Sequence, residues 1–180
     1  MDSELYKIVE KEQLHEMLIT FESCVKLPIQ VIDAKGDLVD SRGKSAHFCS
    51  GFKKYLPAYD SCTVVHAKAA RQAADLGEAY IFSCHANLNH IVFPLIHKST
   101  FLGAILVGPF LMDQPDSLLL LEINKKYSIP LESLLELYDE VAEIPVIQPS
   151  EATHISHLLY YMFLYYLYAL LNHNPAWNRM

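Results

Sequence analysis

Residues 78–112 read EAYIFSCHANLNHIVFPLIHKSTFLGAILVGPFLM, three apolar runs separated by short polar breaks. Tyr, Ile, Phe and Val dominate the runs, and the breaks are Asn87-Leu88-Asn89 and Lys98-Ser99-Thr100. Strand-type runs joined by such short connections predict an antiparallel meander. Gly103 and Gly108 fall inside the third run, where a missing side chain marks a bulge or the close approach of another group.

Upstream, Leu14, Met17, Leu18 and Phe21 repeat at the spacing of one helical face, which predicts an amphipathic helix from about Ser3 to Phe21. Pro28 opens PIQVIDAKGDLVDSR, two β-rich runs around Ala34-Lys35-Gly36-Asp37. That is a hairpin pattern, with Gly36 free to adopt positive φ. Two helices are expected next: SAHFCSGFKKYL, ending before Pro57, and CTVVHAKAARQAAD, capped by Asp60 or Ser61 and stopped by Gly77.

Downstream, QPDSLLLLEINKKY and PLESLLELYDEVA read as helices, the second with Leu131, Leu134, Leu135 and Tyr138 on one face. After the two-proline connector EIPVIQPS, a last helix is expected from Ser150 to about Asn172. In it Ile155, Met162 and Ala169 lie seven apart, as do Leu158 and Tyr165, which gives a heptad seam. Leu159, Phe163, Tyr166 and Leu170 make a second apolar face. A helix apolar on two faces buries one in its own domain and offers the other to a partner.

The elements together predict an α+β fold: an antiparallel sheet flanked by helices and followed by a long C-terminal helix. PAS and GAF sensor domains share that plan. Residues 1–147 are expected to form the sensor unit, and 148–180 a dimerisation and signalling helix leading to an output domain beyond NPAWNRM.

Composition narrows the function. The chain of 180 residues is 52% apolar and 19% charged, enough to bury a sizeable core. Its net charge of −7, with no basic stripe, argues against this chain itself gripping a polyanion. Lys53-Lys54 and Lys125-Lys126 read as solvated surface. The charged, helix-patterned N-terminus is unlike a secretory signal, so the expected location is cytoplasmic and the four cysteines are expected to be reduced. The run LLYYMFLYYLYALL, residues 158–171, holds five tyrosines in 14 residues and is shorter than the roughly 20 a spanning helix needs. No membrane span is expected.

Phosphate loops, a Gly-x-Ser-x-Gly elbow and Gly-x-Gly-x-x-Gly are missing, and the acidic residues are scattered over helix surfaces. An enzyme is therefore not expected. Cys62, in the first turn of its helix, is placed for thiolate character, with His66 one turn on. Cys49 and Cys84 could complete a Cys3His metal set, although no Cys-x2-Cys pair supports it. A Cys62/His66 nucleophilic dyad lacks an orienting third residue. Strand alternation sends Tyr80, Phe82 and Cys84 to one face and Ile81, Ser83 and His85 to the other, so Cys84 and His85 should not act together. His90 and His97 read as outward-facing. Phe48, Phe52, Tyr55 and Tyr59 flank Cys49 as core or as the wall of an apolar pocket.

Residues 48–110, about a third of the chain, resemble the sensory domain of the PocR family, a PAS-like ligand-binding module. The resemblance rests on Phe48-Cys49, on Cys62 with His66, on Tyr80 with Cys84-His85, on Phe93-Pro94-Leu95-Ile96, and on Leu102-Gly103-Ala104-Ile105 with Gly108. The spacing from Tyr80 to Cys84 is longer than the family pattern, and Asn87 stands at a usual glycine. Asn tolerates left-handed backbone, so the turn is expected to survive. The resemblance implies a sensor N-terminal to an AraC-type helix-turn-helix domain or within a histidine kinase, binding small hydrocarbon derivatives such as propanediol. It implies contact with DNA only through a separate output domain, and a homodimer whose geometry the last helix controls.

The leading expectation is thus a small-molecule sensor of a transcription regulator, its pocket between the sheet and the two short helices. Cys49, Phe52, Cys62, His66, Tyr80 and Cys84 are the expected lining. The alternative is a metal or redox sensor using Cys49, Cys62 and Cys84 with His66 or His85, and a third reading is a dimerisation module with a filled core. The sequence names no cofactor.

Overall fold

The computed structural model describes residues 4–57, 61–115 and 117–171, and the side chains among them except those of 117 and 167–171. The expectations for Tyr59, for Asp60 as a cap, for the side chains of Ala169 and Leu170, and for Asn172 lie outside the described residues.

Five strands form one antiparallel sheet in the order β2-β1-β5-β4-β3. They are β1 (Ile29–Asp33), β2 (Leu38–Arg42), β3 (Tyr80–Ser83), β4 (Asn89–His97) and β5 (Thr100–Phe110). The helices are α1 (Lys11–Val25), α2 (His47–Phe52), α3 (Cys62–Leu76), α4 (Ser117–Tyr127), α5 (Leu131–Val141) and α6 (Pro149–Leu171). The α+β class and the antiparallel meander are as the sequence predicted. A 3-10 turn, Lys53–Tyr55, continues α2 toward Pro57.

The central strand β5 pairs with β1 on one side and β4 on the other. One face of the sheet, with Ile29, Val31, Ile91, Phe93, Leu95 and Val107, packs against α1 and α6 in the main core. The other face, with Ile32, Val92, Ala104 and Leu106, packs against the alanine stripe Ala69, Ala70 and Ala73 of α3. Small residues on α3 let its axis lie close to the strands. A third cluster under one end of the sheet joins Phe48 and Phe52 of α2 to Leu120 and Ile123 of α4 and to Leu137 and Val141 of α5.

The predicted hairpin is present. Gly36 has φ 92, and the Asp33 carboxylate accepts hydrogen bonds from the backbone N–H groups of Lys35 and Asp37. Gly103, at φ 152, marks a close approach: a Cβ there would lie 2.1 Å from the Ile32 carbonyl oxygen.

Three helix expectations need correction. The first helix starts at Lys11, after a separate 3-10 turn over Glu4–Lys7. In one continuous helix Leu5 and Leu14 would be roughly 2.5 turns apart and point in opposite directions. The break lets Leu5 and Val9 enter the same core as Leu14, Leu18 and Phe21. On α5 the buried stripe is Leu137 and Val141 with Leu134 packed against them, while Leu131, Leu135 and Tyr138 are exposed. Both stripes are apolar, and α2 and α4 select the one that completes their cluster. On α6 the buried stripe is Ala152, Ile155, Leu159, Phe163 and Tyr166, so Ile155 belongs to the domain core and not to the outer seam. Leu158, Tyr161, Leu164 and Tyr165 remain exposed.

Candidate functional site

A cavity of about 320 Å³ lies between the sheet and the α2–α3 layer. Gln30 and Ile32 of β1, Leu38 of β2, and Gly108 and Pro109 at the end of β5 form its floor and sides. Cys49, Ser50 and Lys53 come from α2 and its 3-10 extension, Cys62, Thr63 and His66 from α3, and Cys84 and His90 from the β3–β4 hairpin.

The local folding of that hairpin decides where Cys84 and His85 go. β3 stops at Ser83, and Asn87 adopts φ 55 in the turn, the left-handed geometry anticipated for it. The Asn87 N–H donates to the Cys84 carbonyl and the Cys84 N–H to the Leu88 carbonyl, each at 2.9 Å. His85 is therefore in a turn, where strand alternation does not apply. Its Nε2 lies 3.6 Å from Cys62 Sγ, and its ring lies 6.1 Å from that of Phe52. The expectation that His85 occupies the opposite face is thus overturned.

His90 departs further from its expected place. It is 5% exposed, a buried polar side chain between Asn89 and Ile91. Its ring stacks on Phe82 at 5.3 Å and lies 5.1 Å from His66. Both faces of the sheet are covered, so alternation along β4 separates two cores and not core from water. Gly108 makes room for the ring, because a Cβ there would lie 3.2 Å from His90 Cδ2. The His90 Nδ1 is buried and has no hydrogen-bond partner among the described residues.

Of the six expected lining residues, Cys49, Cys62, His66 and Cys84 surround the cavity. Phe52 lies behind it, stacked on Phe48 and edge-on to Tyr127. Tyr80 sits farther along the sheet, its hydroxyl donating to the Ala69 carbonyl at 3.2 Å. Lys53, read from sequence as plain surface, lines the cavity, as do Gln30 and His90. The one sequence signal for His90 was a histidine opening the apolar strand run from Ile91 to Ile96.

Burial governs the protonation of the site. It pushes the Cys49 thiol up to about 12, with Cys84 and Cys62 adding to the effect. Cys84 is raised by burial against several backbone N–H groups that favour its thiolate. Cys62 is also raised, because burial outweighs the Lys53 ammonium and its own backbone N–H, and this reverses the expected thiolate character. Burial and then His85 lower His66 to about 4. Burial and then His66 lower His90 to about 3. At neutral pH the cavity therefore presents thiols and uncharged imidazoles. Neutral thiols are poor nucleophiles and poor metal ligands. Among the described residues no group of three or more His, Cys, Asp or Glu side chains is disposed to hold a metal ion, and none of their helices is long and apolar enough to cross a membrane.

No curated protein matches the chain closely enough to count as a relative. The pattern of the sensory domain found in PocR matches residues 7–169, which takes in α1, the whole sheet, the cavity and most of α6. The chain belongs to the PocR sensory-domain family.

Proposed function

We propose that this chain is the small-molecule-sensing domain of a bacterial transcription regulator, with its ligand held in the cavity between α2, α3 and the sheet. The observation that carries the reading is the cavity itself, in a sensory domain, walled by three neutral thiols, two neutral imidazoles and the hydroxyls of Ser50 and Thr63. Apolar walls with a few convergent polar groups are what a small organic ligand needs. Cys49, Cys62, His66 and Cys84 contact the ligand. Phe52 and Tyr80 act from behind, Phe52 by backing His85 and Tyr80 by fixing α3 through Ala69. The domain reaches DNA only through a separate output domain, and the exposed side of α6 carries the signal by setting the geometry of a homodimer.

Thermal-shift measurements with short diols, aldehydes and carboxylates test the site. A ligand should raise the Tm of the wild-type chain and leave a Cys84→Leu variant, whose larger side chain fills part of the cavity, unshifted. Equal stabilisation of both proteins would place the ligand elsewhere.

A further inference from the structure

The chain carries 21 Asp and Glu residues against 14 Lys and Arg, yet no described residue lining the cavity is acidic. Glu22, Glu140 and Glu143 line a second cleft, which shares Pro28, Ser45, Ala46 and Pro109 with the cavity. The formally charged group among the described lining is the ammonium of Lys53. It makes no ion pair among the described residues, and its field is felt at Cys62.

Cys62 and Thr63, which open the 15-residue α3, also line the cavity. The first N–H groups of a helix have no intrahelical acceptor and carry the positive end of its dipole. Ser61 at the N-cap gives no side-chain hydrogen bond. An independent feature of the same cavity is His90, a nearly fully buried imidazole whose Nδ1 makes no well-formed hydrogen bond among the described residues, although the Leu88 backbone acts on the ring. Leaving such an atom unsatisfied is unfavourable, and a ligand group that pairs with it recovers that loss.

On the sensor reading above, we infer that the ligand is a short aliphatic hydroxycarboxylate, its carboxylate between Lys53 and the N-terminus of α3 and its hydroxyl hydrogen-bonded to His90 Nδ1. A cavity of about 320 Å³ is near the lower bound for ligand pockets and suits a molecule of a few carbons. The flanking thiols and Ile32 meet the carbon chain. Uncharged His66 and His90 do not attract the anion from a distance but offer it hydrogen bonds at contact. His85 is the other titratable group that acts on these rings, the three thiols line the same cavity, and no described acid does.

Calorimetric titration of the 180-residue chain with propanoate, butanoate and 2-hydroxypropanoate, against propanamide, butanamide and 1,2-propanediol, tests the inference. The acids should bind at least about tenfold more tightly than the amides of the same skeleton, as a charge-assisted contact demands. Lys53→Met, an exposed change that leaves the core intact, should weaken the acids about tenfold and leave the amides unchanged. His90→Gln should weaken 2-hydroxypropanoate more than propanoate, with its fold checked by circular dichroism. If the amides and the diol bind as well as the acids, the carboxylate assignment fails while the cavity stands as a small-molecule site. If Lys53→Met leaves acid binding unchanged, the placement of the anion is wrong. If none of the six compounds binds, the sensor cavity and the carboxylate assignment fall together.

Discussion

At the scale of single residues, His66 and His90 show how burial sets chemistry. Two buried imidazoles with ring centres 5.1 Å apart are each kept neutral by burial first and by histidine neighbours second. The consequence for stability has a definite sign. Above the ordinary histidine value of 6.5 both rings are neutral whether the chain is folded or unfolded. Below it, the unfolded chain takes up protons that the folded chain refuses, down to about 4 at His66 and about 3 at His90. Each histidine then removes about 1.4 kcal/mol of stability per pH unit across its window. Urea unfolding at pH 7.5 and 5.5 should show the wild-type chain losing stability on acidification and His66→Gln losing less. Equal losses would mean that His66 is protonated freely in the folded state.

Among the elements, β5 is the middle strand of the five, paired with β1 and β4 and constrained on both sides. Gly103 is the point where this constraint is tightest. A methyl group there would run into the Ile32 carbonyl on β1, at a backbone φ of 152 that side chains rarely adopt. Gly103→Ala should therefore lower unfolding free energy by about 3 kcal/mol, the sum of local strain and overpacking, as read by urea melts. A loss below about 1 kcal/mol would show that β1 can shift away. This glycine's role was legible in the sequence, because a glycine weakens a strand interior and stands there where a bulge or a close neighbour requires it. Which stripe of α5 is buried was not legible: Leu131/Leu135/Tyr138 and Leu134/Leu137/Val141 are both good helical stripes. The choice belongs to α2 and α4.

For the molecule as a whole, the sheet separates two differently built layers. α1 and α6 close one face with large apolar side chains, while α3 meets the other through alanines and leaves the cavity at its N-terminal end. α6 packs across β4, the strand that also carries His90, so one sheet connects the cavity to the last helix. On the proposed reading, Leu158 and Tyr161 on the outer side of α6, exposed by 45% and 66%, meet a second copy. Light scattering should then give twice the monomer mass for wild type and the monomer mass for Leu158→Glu/Tyr161→Glu. A monomeric wild type, or a double variant that stays dimeric, would remove α6 from the interface.

The sequence by itself determined the α+β class, the hairpin at Gly36, the meander and the family. These rest on short-range rules: period-two and period-3.6 patterns, turn chemistry and the spacing of Cys49, Cys62, His66 and Cys84. Only the tertiary structure decided that His90 joins the cavity, that His85 turns toward Cys62, that Lys53 belongs to the cavity wall, and that Cys62 stays a neutral thiol. Exposure depends on what covers a face, and a pKa depends on how many groups exclude water around it. The rings packed on His90 come from His66 of α3 and Phe82 of β3, outside β4, so no local pattern in β4 could report them.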